Sequence, residues 1–144
     1  MRVLVLHGPN LNLLGEREPD VYGSQTLDEL NETIAKGAKN LGLEVSCEQY
    51  NAEGSIIDAL HAARTNYAGV VLNPGAYAHY SYAIRDAIAA IGVPVIEVHL
   101  SNIAARDEFR RRSVTAGACR AVVSGLGAAG YILALRALSE ILAP

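Results

Sequence analysis

Five short apolar, β-rich runs, Val3 to Leu6, Leu43 to Cys47, Gly69 to Leu72, Val93 to Val98 and Ala121 to Val123, alternate along the chain with stretches of helical periodicity. Strands apolar on both faces must be covered on both sides, and regular alternation with helices makes the sheet parallel. Thr26 is placed to cap a helix whose Leu27, Leu30, Ile34, Ala38 and Leu41 follow 3.6-residue spacing, with Gly42 as its stop. Ser55 is expected to cap a second, through Ile56, Ala59, Leu60 and Ala63. Ser81 to Ile91 forms a third, ended by Gly92 and Pro94, and Ala128 to Leu142 the last.

Five β-α units predict an α/β fold, a flavodoxin-like parallel sheet of order 2-1-3-4-5 with helices on both faces. A length of 144 residues fits one domain, 1–144, and not two. With 51% apolar residues the chain buries enough surface to fold, and disorder is excluded. In such sheets ligands sit beyond the carboxyl ends of the strands, at the switch point between strands 1 and 3.

Fifteen acids against twelve bases leave a net charge of -3, with no basic excess to neutralise a phosphate backbone, so nucleic acid is not an expected partner. Ten of the twelve bases are arginines, a bias that suits recognition of planar anions. Cys47 and Cys119 stand far apart, with no CxxC and no zinc-like cluster, and read as buried small hydrophobes in a reducing compartment. No apolar run reaches the roughly 18 residues of a membrane span, and the start of the chain lacks a signal-peptide core. A cytoplasmic protein, without membrane partners, is expected.

The first connection breaks the pattern. Gly8 to Gln25 runs eighteen residues where such loops usually take about 2 to 6, which marks an active-site lid or binding loop. It carries Asn10, Asn12, Arg17 and Tyr22, with Gly15 and Gly23 as hinges. Later, Gly125, Gly127 and Gly130 match a dinucleotide fingerprint, but neither the second strand nor the acid about 20 residues on follows. Close helix-to-strand packing explains these glycines better.

Polar groups gather at the strand ends: Asn10 after strand 1, Asn73 and His79 after strand 3, and Glu97, His99 and Ser101 at the end of strand 4. The period of two puts Glu97 and His99 on one face, where the carboxylate can orient or charge the imidazole. A carboxylate within a run of Val and Ile is costly unless paired, so Glu97 points to a site more strongly than an acid on a helix. His7 and His61 have no neighbour in sequence that suggests a role. A phenol with pKa near 10 is a poor base at neutrality, and lowering that value by about 3 takes roughly 4 kcal/mol. A cation within 4 Å supplies about as much at an effective dielectric of 20. Arg17 beside Tyr22 would therefore make a competent base. Arg106 and Arg110, four apart in a charged short helix, offer one arginine to the crevice, while Arg111 and Arg112 read as solvated. With no nucleophile–base motif, metal cluster or phosphate loop, proton transfer next to a carbonyl is the chemistry that remains.

The segments LHGPNLNLLGEREPDVYG (6–23), NPGAYAHYSYAIRD (73–86), EVHLSN (97–102), RDEFR (106–110) and GLGAAGY (125–131) resemble the type II 3-dehydroquinate dehydratases. The resemblance implies a cofactor-free, metal-free hydro-lyase of the shikimate pathway acting on 3-dehydroquinate through an enolate. It implies Tyr22 as proton acceptor, Arg17 as the group that stabilises its phenolate, and His99, paired with Glu97, as proton donor. Asn10 would place a water on the enolate oxygen. Asn73, His79 and Arg110 would hold substrate hydroxyls, and the amides of Leu100 and Ser101 its carboxylate. Asp86 would reach the site of an adjacent subunit in a homododecamer, a tetramer of trimers. Ala104 and Ala116-Gly117 depart from the family pattern, at positions that bear on lid contacts and subunit packing. The alternative is a flavodoxin-like FMN-binding or phospho-receiver module. The acidic pocket a receiver needs after strand 1 is absent there, and so is a flavodoxin's hydroxyl-rich phosphate loop, since no Ser or Thr precedes Ser24.

Overall fold

The apolar runs become five parallel strands in the computed structural model, which describes residues 1–144: β1 (Arg2–His7), β2 (Glu44–Gln49), β3 (Gly69–Asn73), β4 (Val95–His99) and β5 (Ala121–Ser124). Their order is β2-β1-β3-β4-β5, so the direction of winding reverses between β1 and β3, as expected. The strands are registered Val3 to Gly69, His7 to Asn73 and Leu72 to Glu97. Those pairs bring the carboxyl ends of β1, β3 and β4 to one edge.

Alternation along the strands sorts the core into two layers. Val3, Val5, Val71, Ile96 and Val98 pack against α2 (Leu27–Asn40) and α5 (Ala128–Ile141), while the short α1 (Pro19–Tyr22) belongs to the first connection. Leu4, Leu6, Val70, Leu72 and Val95 pack against α3 (Glu53–Asn66) and α4 (Tyr82–Ile91). Both layers are dry: the residues named are 0–2% exposed. Thr26 caps α2 by accepting from the Glu29 amide at 3.2 Å, and Ser81 caps α4 by accepting from Ile84 at 3.0 Å.

Three local expectations change. Ser55 is not a cap: α3 starts earlier, after Ala52, with Glu53 in its first turn, where a carboxylate favours the helix dipole. β4 begins only at Val95, because Pro94 has no N–H to give the ladder. The long connection is not structureless, since it holds a 3-10 turn at Leu11–Leu13 and the single-turn α1, started by Pro19. Both cysteines are free and only half-buried, yet burial pushes the Cys47 thiol up to about 11 and the Cys119 thiol up to about 12.

Of the three glycines of the rejected fingerprint, Gly130 alone packs helix to strand; a Cβ on Gly125 would meet Asn102 instead, and one on Gly127 nothing within 4 Å. A Cβ on Gly130 would meet Val123 at 3.3 Å and Val98 at 3.5 Å. Gly8 is tighter: its amide donates to Asn73 O at 2.7 Å, and a Cβ there would lie 2.7 Å from the Pro74 carbonyl.

Candidate active site

Beyond the ends of β1, β3 and β4 lies a cavity of about 200 Å³. Drug-sized ligands take roughly 300–1,000 Å³, so this space suits a smaller molecule. Asn10, Arg17, Tyr22, Asn73, His79, His99, Leu100, Ser101 and Arg110 all line it, together with Arg106. Glu97 lies behind His99, fully buried. Asp86 is exposed on α4 and does not line the cavity.

Glu97 and His99 leave β4 on the α3/α4 side, in step with Val95, and the His99 Nε2 donates to Glu97 Oε2 at 2.8 Å. The carboxylate is surrounded. Ser113 donates to Oε2 at 2.7 Å and Thr115 donates to Oε1. Burial alone would raise the Glu97 carboxyl, but the hydrogen bonds from His99 and Thr115, the charge of His99 and the Ser113 hydroxyl together hold it below the ordinary value. Glu97 is thus an anion in the dry interior, and it fixes the His99 ring with Nδ1 free of the carboxylate.

Tyr22 forms the opposite wall at the end of α1. Its hydroxyl accepts from Arg106 Nη1 at 2.7 Å, and the guanidinium carbons of Arg17 and Arg106 lie 5.1 and 5.2 Å from its ring centre. Glu18 bridges the two arginines through one oxygen, Oε2, 3.8 Å from Arg17 and 4.0 Å from Arg106. Its φ of 40° is a left-handed conformation unusual for a residue with a side chain. The sequence reading assigned the phenol to Arg17 alone and one arginine of the pair at 106 and 110 to the crevice. Both line it, because the segment is not one helix but two 3-10 turns, Ile103–Ala105 and Glu108–Arg110, with Arg106 between them. Arg111 and Arg112 are exposed, as expected.

The remaining groups offer donors and one acceptor. Arg110 Nε is buried without a hydrogen-bond partner, its nearest carboxylate being Asp107 at 3.8 Å. His79 Nδ1 donates to Arg112 O at 2.8 Å; with its one ring proton placed there, Nε2 is the acceptor. Leu100 and Ser101 follow β4, and neither amide donates to another backbone group. Asn10 has a left-handed backbone (φ 67°), and its amide donates to Asn51 at 3.0 Å. No three His, Cys, Asp or Glu side chains converge as a metal-ligand set.

Sequence reasoning missed Ser113 and Thr115, which reach Glu97 from a loop 16 and 18 residues away, and Glu18, whose role depends on where the loop folds. It also passed over His7, which is fully buried beside Tyr131. A histidine closing an apolar strand and a tyrosine on the apolar stripe of a helix were the signals, since either needs a polar partner when buried.

A doubly wound α/β sheet with a paired carboxylate–imidazole on one wall and an arginine-held phenol on the other defines a flavodoxin-like protein built for proton transfer. The family model described as dehydroquinase class II matches residues 1–139. A 3-dehydroquinate dehydratase of Pelotomaculum thermopropionicum is 55% identical over 141 residues, 98% of either chain. The crystal structure of a type II dehydroquinase from Butyrivibrio crossotus superposes with a TM-score of 0.94 at 48% identity, covering 96% of this chain and 97% of that one. That from Propionibacterium acnes gives 0.93 at 44% identity, over 96% of each. The chain belongs to the class II dehydroquinase family.

Proposed function

We propose that this pocket eliminates water from 3-dehydroquinate to give 3-dehydroshikimate, a step of the shikimate pathway. The observation that carries the proposal is the pairing across one cavity of Tyr22, held by Arg106 at 2.7 Å, with His99, held by Glu97 at 2.8 Å. One wall supplies a base and the other an acid.

Tyr22, as phenolate beside Arg17 and Arg106, takes the proton from the carbon next to the ketone. The C–H electrons become the enolate, whose oxygen is stabilised by a water placed with the help of Asn10. The enolate then collapses, the C1–O bond breaks, and His99 gives its Nδ1 proton to the departing hydroxyl. Glu97, bonded to Nε2, holds the ring in place for that transfer. Arg110, with its unpartnered Nε, and Asn73 and His79 hold the substrate hydroxyls, while the Leu100 and Ser101 amides receive the carboxylate. No cofactor or metal is assigned to the reaction.

Asp86, exposed on α4 and away from the cavity, is assigned to the site of a neighbouring subunit in a homododecamer of four trimers. The chain works in the cytoplasm as one catalytic domain, without nucleic-acid or membrane partners. No helix is long and apolar enough to cross a membrane.

The conjugated product absorbs in the ultraviolet, so purified protein mixed with 3-dehydroquinate should give a rising trace without added metal or nucleotide. A flat trace from folded protein overturns the proposal. Tyr22→Phe should lower kcat by about 10²–10⁴-fold with an unchanged unfolding temperature; undiminished turnover removes Tyr22 as the base. Light scattering at twelve chains' mass tests the assembly.

A further inference from the structure

On the face of the sheet opposite Glu97, a line of buried polar groups runs from α2 to the cavity. His7 Nε2 meets Asn31 Oδ1 at 2.8 Å, His7 Nδ1 meets the Tyr131 hydroxyl at 3.2 Å, and Asn73 Nδ2 donates to that hydroxyl at 3.0 Å. Asn73 Oδ1 accepts from the Gly75 amide at 3.1 Å. His7 and Tyr131 are fully buried, and Asn73 is 4% exposed.

The direction of every bond follows from the two ends. The Gly75 N–H can only donate, so the Asn73 oxygen faces it and the Asn73 amino group faces Tyr131. The Asn31 oxygen can only accept, so the His7 proton sits on Nε2. Burial holds the His7 imidazole down at about 4, so the ring carries a single proton and Nδ1 is an acceptor. Tyr131 therefore donates to His7 while accepting from Asn73. Any other arrangement leaves a phenol proton unpaired where no water reaches, at a cost of the order of a lost hydrogen bond.

We propose that Tyr131 and His7 are positioning residues that lock the Asn73 amide so that it offers the cavity one N–H donor and no acceptor. Two of the hydrogen-bonding groups of the Asn73 amide are directed elsewhere: its oxygen to Gly75 and one N–H to Tyr131. The second N–H is what the ligand meets, so the lock selects an oxygen acceptor at that point. This rests on the assignment of Asn73 to substrate binding above. Without the Tyr131 hydroxyl only the Gly75 bond still orients the amide, and substrate binding must then restore the lost order.

Tyr131→Phe should raise KM about tenfold while kcat changes less than about threefold, the signature of lost binding rather than lost chemistry. In an Asn73→Ala background the same substitution should raise KM no further. An unchanged KM, or an equal rise in both backgrounds, overturns the positioning role. A wild-type protein without turnover would overturn the proposed activity instead, and a second measurement keeps the two apart. Nitrogen-15 spectra of the histidine rings should show His7 neutral with its proton on Nε2 at pH 7, and a shifted Nδ1 signal in Tyr131→Phe. A proton on Nδ1 in the wild type, or an Nδ1 signal that ignores the substitution, overturns the hydrogen-bond chain whether or not the enzyme turns over.

Discussion

The two faces of one sheet bury an ionisable side chain each, and they treat it in opposite ways. His7 and Glu97 are both 0% exposed. His7, with one hydrogen bond to an amide oxygen and one from a phenol, stays neutral; burial dominates and drives it down to about 4. Glu97, with donors from His99, Ser113 and Thr115, stays charged although burial opposes it. Depth does not decide the charge of a buried group; the number of donors aimed at it does. The neutral network aligns a binding group, and the charged one supports a proton donor.

Removing the charge is the most damaging way to break this contrast. Glu97→Gln keeps the volume but takes the counter-charge from His99, and we expect kcat to fall by about 10²–10⁴-fold, measured by product absorbance. The fold should persist in circular dichroism, since an amide still pairs with several of the donors.

Acid unfolding separates the two faces. Below about 6.5 the unfolded chain protonates His7 while the folded one refuses the proton until about 4. Stability is therefore whole above 6.5, falls by roughly 3 kcal/mol across that window, and levels off beneath it. The Glu97 carboxyl is held below 4.5, so its share is whole above that value and lost only as pH falls through the depressed one. Denaturant titrations between pH 7 and 4 should show the first loss, and His7→Gln should flatten it. A flat wild-type profile would mean that His7 is not kept neutral by the fold.

Thr115→Val sharpens the donor count. It removes one of the hydroxyls on Glu97, and stability should drop by about 1–2 kcal/mol in denaturant midpoints while Ser113 and His99 keep the carboxylate ionised. The smallest effect concerns the phenol wall, where Tyr22 is half-buried at the margin of the core and held from outside by Arg106. Proteolysis within residues 8–25 should slow a few-fold when a substrate analogue binds; equal rates would reject closure of this segment.

Much of this was legible in the sequence. The strand order followed from five apolar runs, because strands buried on both faces leave little choice of topology. The Glu97–His99 pair followed from the period of two within one strand. Arg106 was legible only as a candidate, since its contact with Tyr22 joins positions 84 residues apart and depends on two 3-10 turns that no helical pattern announces. Ser113 and Thr115 were invisible for the same reason. Tyr131 stood in the sequence only as the last residue of the segment GLGAAGY, and its hydroxyl acquires meaning only when β1 and β3 lie side by side beneath α5.

The close approach at Gly8 carries a last consequence. The first and third strand-end loops touch main chain to main chain at Gly8, with its amide 2.7 Å from Asn73 O and no room for a methyl group. A side chain at Gly8 would force that seam apart, so its width is fixed as long as the glycine stands. Any drift in what the cavity accepts must come from its other borders, where arginine, histidine and tyrosine side chains set the outline and can be traded.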